Sequence, residues 1–255
     1  MNIKIGFVGM SHLGLNYAVA SAIKGYDVVC YDENRRLIDL LNSKQIPYFE
    51  KKLKKNLTKK FNSLEFTINK KKLVSCNLIF ISKDVPTNNY GKSNLKIIKK
   101  ILNSVLKIVK KNTIIVILCQ VPPGFTKSIK WNKNNLYYQV ETLIYSNAQK
   151  RALKPERIII GKYKNKNISK AYSLYLRKFD CPIIEMDYES AELTKICINI
   201  YLISQVTNTN LLSDTAQNIG ADWNKITEAL KLDKRIGKHC YLKPGLGISG
   251  GNLER

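Results

Sequence analysis

The sequence predicts an α/β fold, with a doubly wound parallel sheet over residues 1–187 followed by a long helix and further helical structure over 188–255. Three observations carry this reading. Short apolar runs alternate with amphipathic helical stretches over the first two-thirds of the chain, the βαβα rhythm of a layered sheet. Those runs are almost continuously apolar, as strands covered on both faces are. From Tyr188 onward the rhythm gives way to a single long helical pattern.

The strands read in order as residues 3–9, 27–32, 64–68, 77–83, 113–120, 136–141, 157–163 and 182–187. Between the fourth and fifth, residues 95–110 repeat apolar side chains at i, i+3 and i+4 with lysines opposite, which predicts an amphipathic helix. Residues 189–219 read as one helix stopped by Gly220, a residue suited to a left-handed C-cap. Asp222 is placed to cap the N-terminus of the next helix. The chain then becomes loop, closing on "KPGLGISGGNLER". No internal repeat or low-complexity linker interrupts it, so the expected domain boundary is a helix and not a flexible hinge.

Composition narrows the function classes. The chain has 255 residues, enough for a sizeable core. No apolar run approaches the ~20 residues of a membrane span. The opening "MNIKIGFVGM" enters a strand pattern directly, without the apolar stretch of a signal peptide, so a cytoplasmic location is expected. Six scattered cysteines without a CxxC pair, beside only two histidines, predict free thiols and no metal site. The net charge of +24 is mostly lysine, spread along the polar faces of amphipathic segments. Such charge attracts polyanions, but no aromatics interleave it and no nucleic-acid motif accompanies it, so a nucleic-acid partner is not expected.

The first strand runs into "GMSHLG". Gly9 and Gly14 occupy the first and third positions of a G-x-G-x-x-G fingerprint, with Ser11 at the second and His12 and Leu13 between. The first glycine permits the tight turn and the third lets the helix pack against the sheet. A diphosphate would sit over the helix N-terminus, where free N–H groups and the helix dipole favour negative charge. The Ser11 Cβ is a departure that is expected to crowd that approach. Asp32, at the end of the second strand, is placed to accept hydrogen bonds from an adenosine ribose and so favours NAD. Arg35 and Arg36 keep NADP open as the alternative.

Further motifs follow in order: "DVPTNNYG" (84–91), "CQVPPGFT" (119–126), "VETLIYSNA" (140–148), "PERIIIG" (155–161), "AELTKICIN" (191–199), "DKRIG" (233–237) and "PGLGISGGN" (244–252). Together they resemble the UDP-glucose/GDP-mannose dehydrogenases over essentially the whole chain. The resemblance implies a Rossmann-type NAD-binding domain, then the start of a helical central domain. It also implies a reaction in which two NAD molecules take two hydrides from the C6 alcohol of a nucleotide sugar, the second by way of a cysteine thioester. Polysaccharide biosynthesis is the setting that such an activity implies.

By the same resemblance Val85, Pro86, Thr87 and Gln120 line the cofactor. Glu141 matches the family's first glutamate, a base or water-orienting group, whereas Tyr145 stands at its second. Lys195 and Asn199 are four residues apart and share a helix face, where an ammonium and an amide can steady a developing alkoxide or orient water. Asn252 stands where the family's catalytic cysteine belongs, and an amide cannot form a thioester. The second oxidation is therefore expected to be impaired, unless Cys119 or Cys240 acts as a relocated nucleophile. The family's nucleotide-sugar-binding domain is not matched within the 255 residues. A catalytically inactive NAD-binding or regulatory module thus remains the alternative, and either a homodimer or a separate sugar-binding chain is an open partner.

Overall fold

A computed structural model describes residues 3–86 and 93–245. All eight expected strands form: β1 (Ile5–Val8), β2 (Val28–Tyr31), β3 (Leu64–Thr67), β4 (Leu78–Ile81), β5 (Ile114–Ile117), β6 (Leu136–Gln139), β7 (Ile158–Lys162) and β8 (Ile183–Asp187). They make one sheet in the order β3-β2-β1-β4-β5-β6-β7-β8. Strand order reverses direction between β1 and β4, and in open α/β sheets that switch point opens a crevice at the strand ends.

The sheet departs from the expected pattern at two places. β6 and β7 are antiparallel, with Tyr138 opposite Gly161, so the sheet is mixed and not wholly parallel. β8 has an apolar sequence but forms the edge of the sheet, and Ile183 and Ile184 remain exposed. An apolar run therefore marks a strand without fixing its cover on both faces.

Helices α1 (His12–Ile23), α2 (Arg35–Asn42) and α3 (Leu53–Lys59) follow the first two strands. α4 (Leu95–Leu106) buries Ile98, Ile101, Leu102 and Val105, the stripe read from the sequence. Short helices α5 (Phe125–Ser128) and α6 (Ala148–Leu153) flank β6, and α7 (Lys170–Arg177) precedes β8. The apolar core lies on the two faces of the sheet. One cluster joins Phe7 and Phe80, stacked at 4.7 Å, to Leu15, Tyr172 and Tyr175. The other joins Ile79, Ile81 and Ile115 to the inner face of α4 and to Tyr188.

The chain divides into two compact units, the first comprising residues 3–86 and 93–195 and the second, among the described residues, 196–245. The division falls inside α8 (Tyr188–Asn218), a continuous helix of 31 residues. Within the second unit, Asp222 caps α9 (Trp223–Leu232) by accepting the Asn224 N–H at 2.9 Å. Gly220 takes the left-handed conformation expected of it, with φ 74°. The Trp223 indole donates to the Leu242 carbonyl, and Asn210 pairs reciprocally with the Gly245 backbone. Among the described residues no helix is long and apolar enough to cross a membrane, and no group of histidine, cysteine and carboxylate side chains could hold a metal ion.

Candidate active site

Parallel strands point their carboxyl ends to one edge of the sheet. That edge collects Gly9 after β1, Asp32 after β2, Lys83 after β4, Gln120 after β5 and Glu141 after β6. Residues scattered over 130 positions of sequence thus become neighbours in one row.

The turn after β1 is held by sterics and by one serine. Gly9 has φ 101°, and a Cβ built there would lie 2.6 Å from the Lys83 backbone. A Cβ on Gly14 would lie 1.9 Å from the Gly9 carbonyl oxygen. Both glycines are thus required by the packing of turn, helix and β4. The Ser82 hydroxyl donates to the Gly9 carbonyl at 2.9 Å, and the Ser82 carbonyl accepts from the Ser11 hydroxyl at 3.0 Å. Ser11 is the N-cap of α1 at φ −69°, an ordinary conformation for serine, and its side chain caps no amide of the helix. The first-turn amides of α1 have no intrahelical acceptor by construction, and the first turn itself carries no acidic residue. An anion fits this end of the helix.

Asp32 is buried just beyond β2, but its carboxylate is not free. Oδ2 accepts the Met10 N–H at 2.8 Å and Oδ1 the Asn34 N–H at 3.0 Å. The Lys83 ammonium donates to both oxygens, at 3.0 and 3.2 Å. Arg36 lies exposed on α2. Gln120, after β5 on the same edge, is buried, and its Oε1 has no hydrogen-bond partner among the described residues. Val85 is buried in the second apolar cluster and Pro86 is exposed. Thr87 and Asn252 lie outside the described residues.

Glu141 and Lys195, expected from separate motifs, meet at 2.7 Å with both side chains nearly buried. Glu141 is fixed from the other side by the Leu143 N–H at 3.0 Å. The Glu141 charge and burial together push the nearby Tyr17 phenol far above its ordinary value, burial being the larger cause. Asn199 lies one helical turn beyond Lys195 on α8, in the second unit.

Three carboxylates and a cation matter that the sequence motifs did not single out. Glu192, one turn before Lys195, accepts the Gly124 N–H at 2.6 Å and the Thr126 N–H at 2.8 Å, so α8 holds the proline-rich loop after β5. Burial pushes the Glu192 carboxyl above the usual glutamate range, against the pull of those N–H donors. Glu50, also buried, accepts the N–H groups of Ser146 and Ala148 and meets His12 Nε2 at 3.0 Å. His12 in turn stacks on Tyr145, ring centroids 4.3 Å apart. Glu189 binds Lys127 at 2.7 Å on the exposed side of α8. Lys83 was visible only as the end of a strand; the neighbour relation of β1 and β4 brings it to Asp32.

Of the cysteines weighed as substitute nucleophiles, Cys119 is buried and Cys240 partly buried. Elsewhere, burial pushes the Cys76 thiol up to about 12 and Cys30 well above its ordinary range.

Comparison with known proteins bears on this edge. The model of the NAD-binding domain of the UDP-glucose/GDP-mannose dehydrogenase family matches residues 3–179, and the model of that family's central domain matches residues 189–255. A UDP-glucose 6-dehydrogenase of Rickettsia prowazekii is 30% identical over 264 residues, covering 97% of this chain and 59% of the relative. The structure of a UDP-glucose dehydrogenase from Pyrobaculum islandicum superposes with a TM-score of 0.88 at 25% identity, covering 99% of this chain and 62% of the other. A GDP-mannose dehydrogenase from Pseudomonas aeruginosa shares the fold, with a TM-score of 0.85 at 22% identity, over 95% of this chain and 60% of the other. The chain thus spans about three-fifths of the length of the relatives it matches.

Proposed function

The chain belongs to the UDP-glucose/GDP-mannose dehydrogenase family, and from that premise we propose that it oxidises the C6 alcohol of a nucleotide sugar with NAD. The observation that carries the proposal is the buried Glu141–Lys195 pair, at 2.7 Å, on the sheet edge that also carries the Gly9–Gly14 turn. Residues 9–14 hold the diphosphate through the free amides of α1. Asp32 and Lys83 would face the adenosine ribose, and the Gln120 side-chain oxygen, without a partner among the described residues, would accept from a donor of the coenzyme. NAD supplies the hydride acceptor when bound.

The chain's own residues do the proton chemistry. Glu141, paired with Lys195 at 2.7 Å, accepts the proton of the sugar hydroxyl. Lys195 then steadies the negative oxygen, a charge placed in a site with little water to screen it. Glu192 positions Lys195 indirectly, because it ties the start of α8 to the loop after β5.

With Asn252 at the cysteine position, the reaction stops at the aldehyde. The test is the yield of reduced nicotinamide per UDP-glucose consumed. One equivalent is expected from the wild-type chain, and a second appears only with Asn252→Cys. Two equivalents and a uronic acid from the wild-type chain would overturn the single-oxidation reading. A second reading, NAD binding without turnover, draws on Tyr145, which stacks on His12 at the family's second-glutamate position. It predicts NAD binding with no reduced nicotinamide from any nucleotide sugar.

A further inference from the structure

We propose that Lys83 sets coenzyme choice by neutralising Asp32, so that the chain accepts the 2′-phosphorylated coenzyme NADP beside NAD. The inference rests on the reading that the Gly9–Gly14 turn holds a dinucleotide, and it concerns only the first compact unit.

An acidic residue at the end of the second strand selects NAD for two reasons: its free oxygens accept the ribose hydroxyls, and its charge repels a 2′-phosphate. Neither holds at Asp32 as the structure places it. A carboxylate offers about four lone-pair sites, and Asp32 has all of them engaged: Met10 N–H and Asn34 N–H take one each, and the Lys83 ammonium takes one on each oxygen. The pair carries no net charge. The Asp32 side chain is 2% exposed and that of Lys83 31%, so the face turned to solvent is cationic.

The arrangement is built in and is not a chance rotamer of a surface lysine. The Lys83 backbone packs against Gly9 so closely that a Cβ on that glycine would lie 2.6 Å from it. This fixes the root of the side chain at the β1–β4 switch point, within reach of β2. Arg35 and Arg36 stand exposed at the start of α2, three and four residues after Asp32, and no acidic residue occupies the first turn of that helix. A 2′-phosphate entering here meets the Lys83 ammonium, with Arg35 and Arg36 outnumbering Glu33 among the exposed charges that follow Asp32. A 2′-hydroxyl meets the same ammonium as a donor, so NAD is still held.

The test is calorimetric titration of NAD and NADP into the full chain and its Lys83→Gln and Lys83→Arg variants. Glutamine keeps a donor toward Asp32 while removing the charge, which protects folding. The wild-type chain is expected to bind both coenzymes, with NADP affinity falling more steeply as salt rises. Lys83→Gln should shift the NADP-to-NAD affinity ratio about tenfold or more toward NAD, and Lys83→Arg should keep the wild-type ratio. An unchanged ratio in Lys83→Gln, or wild-type binding of NAD with none of NADP, overturns the role of Lys83 and leaves the dinucleotide site standing. Absence of binding by both coenzymes overturns the proposal together with the reading beneath it. Should Lys83→Gln not fold, the salt slopes of the wild-type chain decide: equal slopes for the two coenzymes contradict a cation at the 2′-position.

Discussion

Replacing Gly14 with alanine tests whether the turn after β1 is set by space alone. Gly14 lies in a helix, so alanine loses nothing in backbone conformation and would be favoured there by propensity. The obstacle is contact: the new Cβ would sit 1.9 Å from the Gly9 carbonyl oxygen and 2.7 Å from Ser82 Oγ. An unstrained carbon–oxygen approach is roughly 3.3 Å, so the helix start must retreat by about 1.4 Å from the turn. Overpacking of this kind costs up to about 3 kcal/mol. At ~2–4 °C per kcal/mol for a unit of this size, the melting temperature should fall by about 6–12 °C. Gly25 provides the control, since it has φ 91° with open space around its missing Cβ. Alanine there should cost only the left-handed backbone, about 1 kcal/mol. Thermal unfolding followed by circular dichroism compares the two. A Gly14→Ala protein that melts with the wild type, or above Gly25→Ala, refutes the steric reasoning.

Other consequences are as direct. Glu141→Gln and Lys195→Met should each lower turnover about a hundredfold or more while leaving NAD affinity within about twofold. Each single change strands a buried charge at about 3 kcal/mol, so the double variant should recover stability in a denaturant cycle. Glu50→Ala leaves the Ser146 and Ala148 amides without their acceptor and should cost about 3 kcal/mol in urea unfolding. For Glu192, burial holds the carboxyl above the usual glutamate range in the folded protein. Its stabilisation is therefore full below the unfolded value and is lost as pH rises through the folded one. Urea midpoints measured across that window should fall with rising pH in the wild type and lose that slope in Glu192→Gln.

The sequence carried the sheet because each strand is an apolar run bounded by turns, and every one of the eight formed where expected. It did not carry strand direction: the antiparallel β6–β7 pair depends on how the chain returns through α6, which composition does not encode. At the candidate site, Gly9, Gly14, Asp32, Glu141 and Lys195 could be singled out from spacing or from motifs, and the structure places them along one sheet edge or against it. Lys83, Glu50 and Glu192 were not. Lys83 closes an apolar strand and gains meaning only when β4 pairs with β1. Glu50 bonds backbone amides 96 and 98 residues away, a relation without local signature. Glu192 sits inside "AELTK", where the motif points to the lysine. The pattern names the side chains proposed to react and leaves out the groups that anchor them.

A titration of NAD into the folded wild-type chain tests most directly whether the Gly9–Gly14 turn is a dinucleotide site. Saturable heat with one molecule bound per chain is predicted. A flat trace, with the protein shown folded by its melting transition, would contradict it.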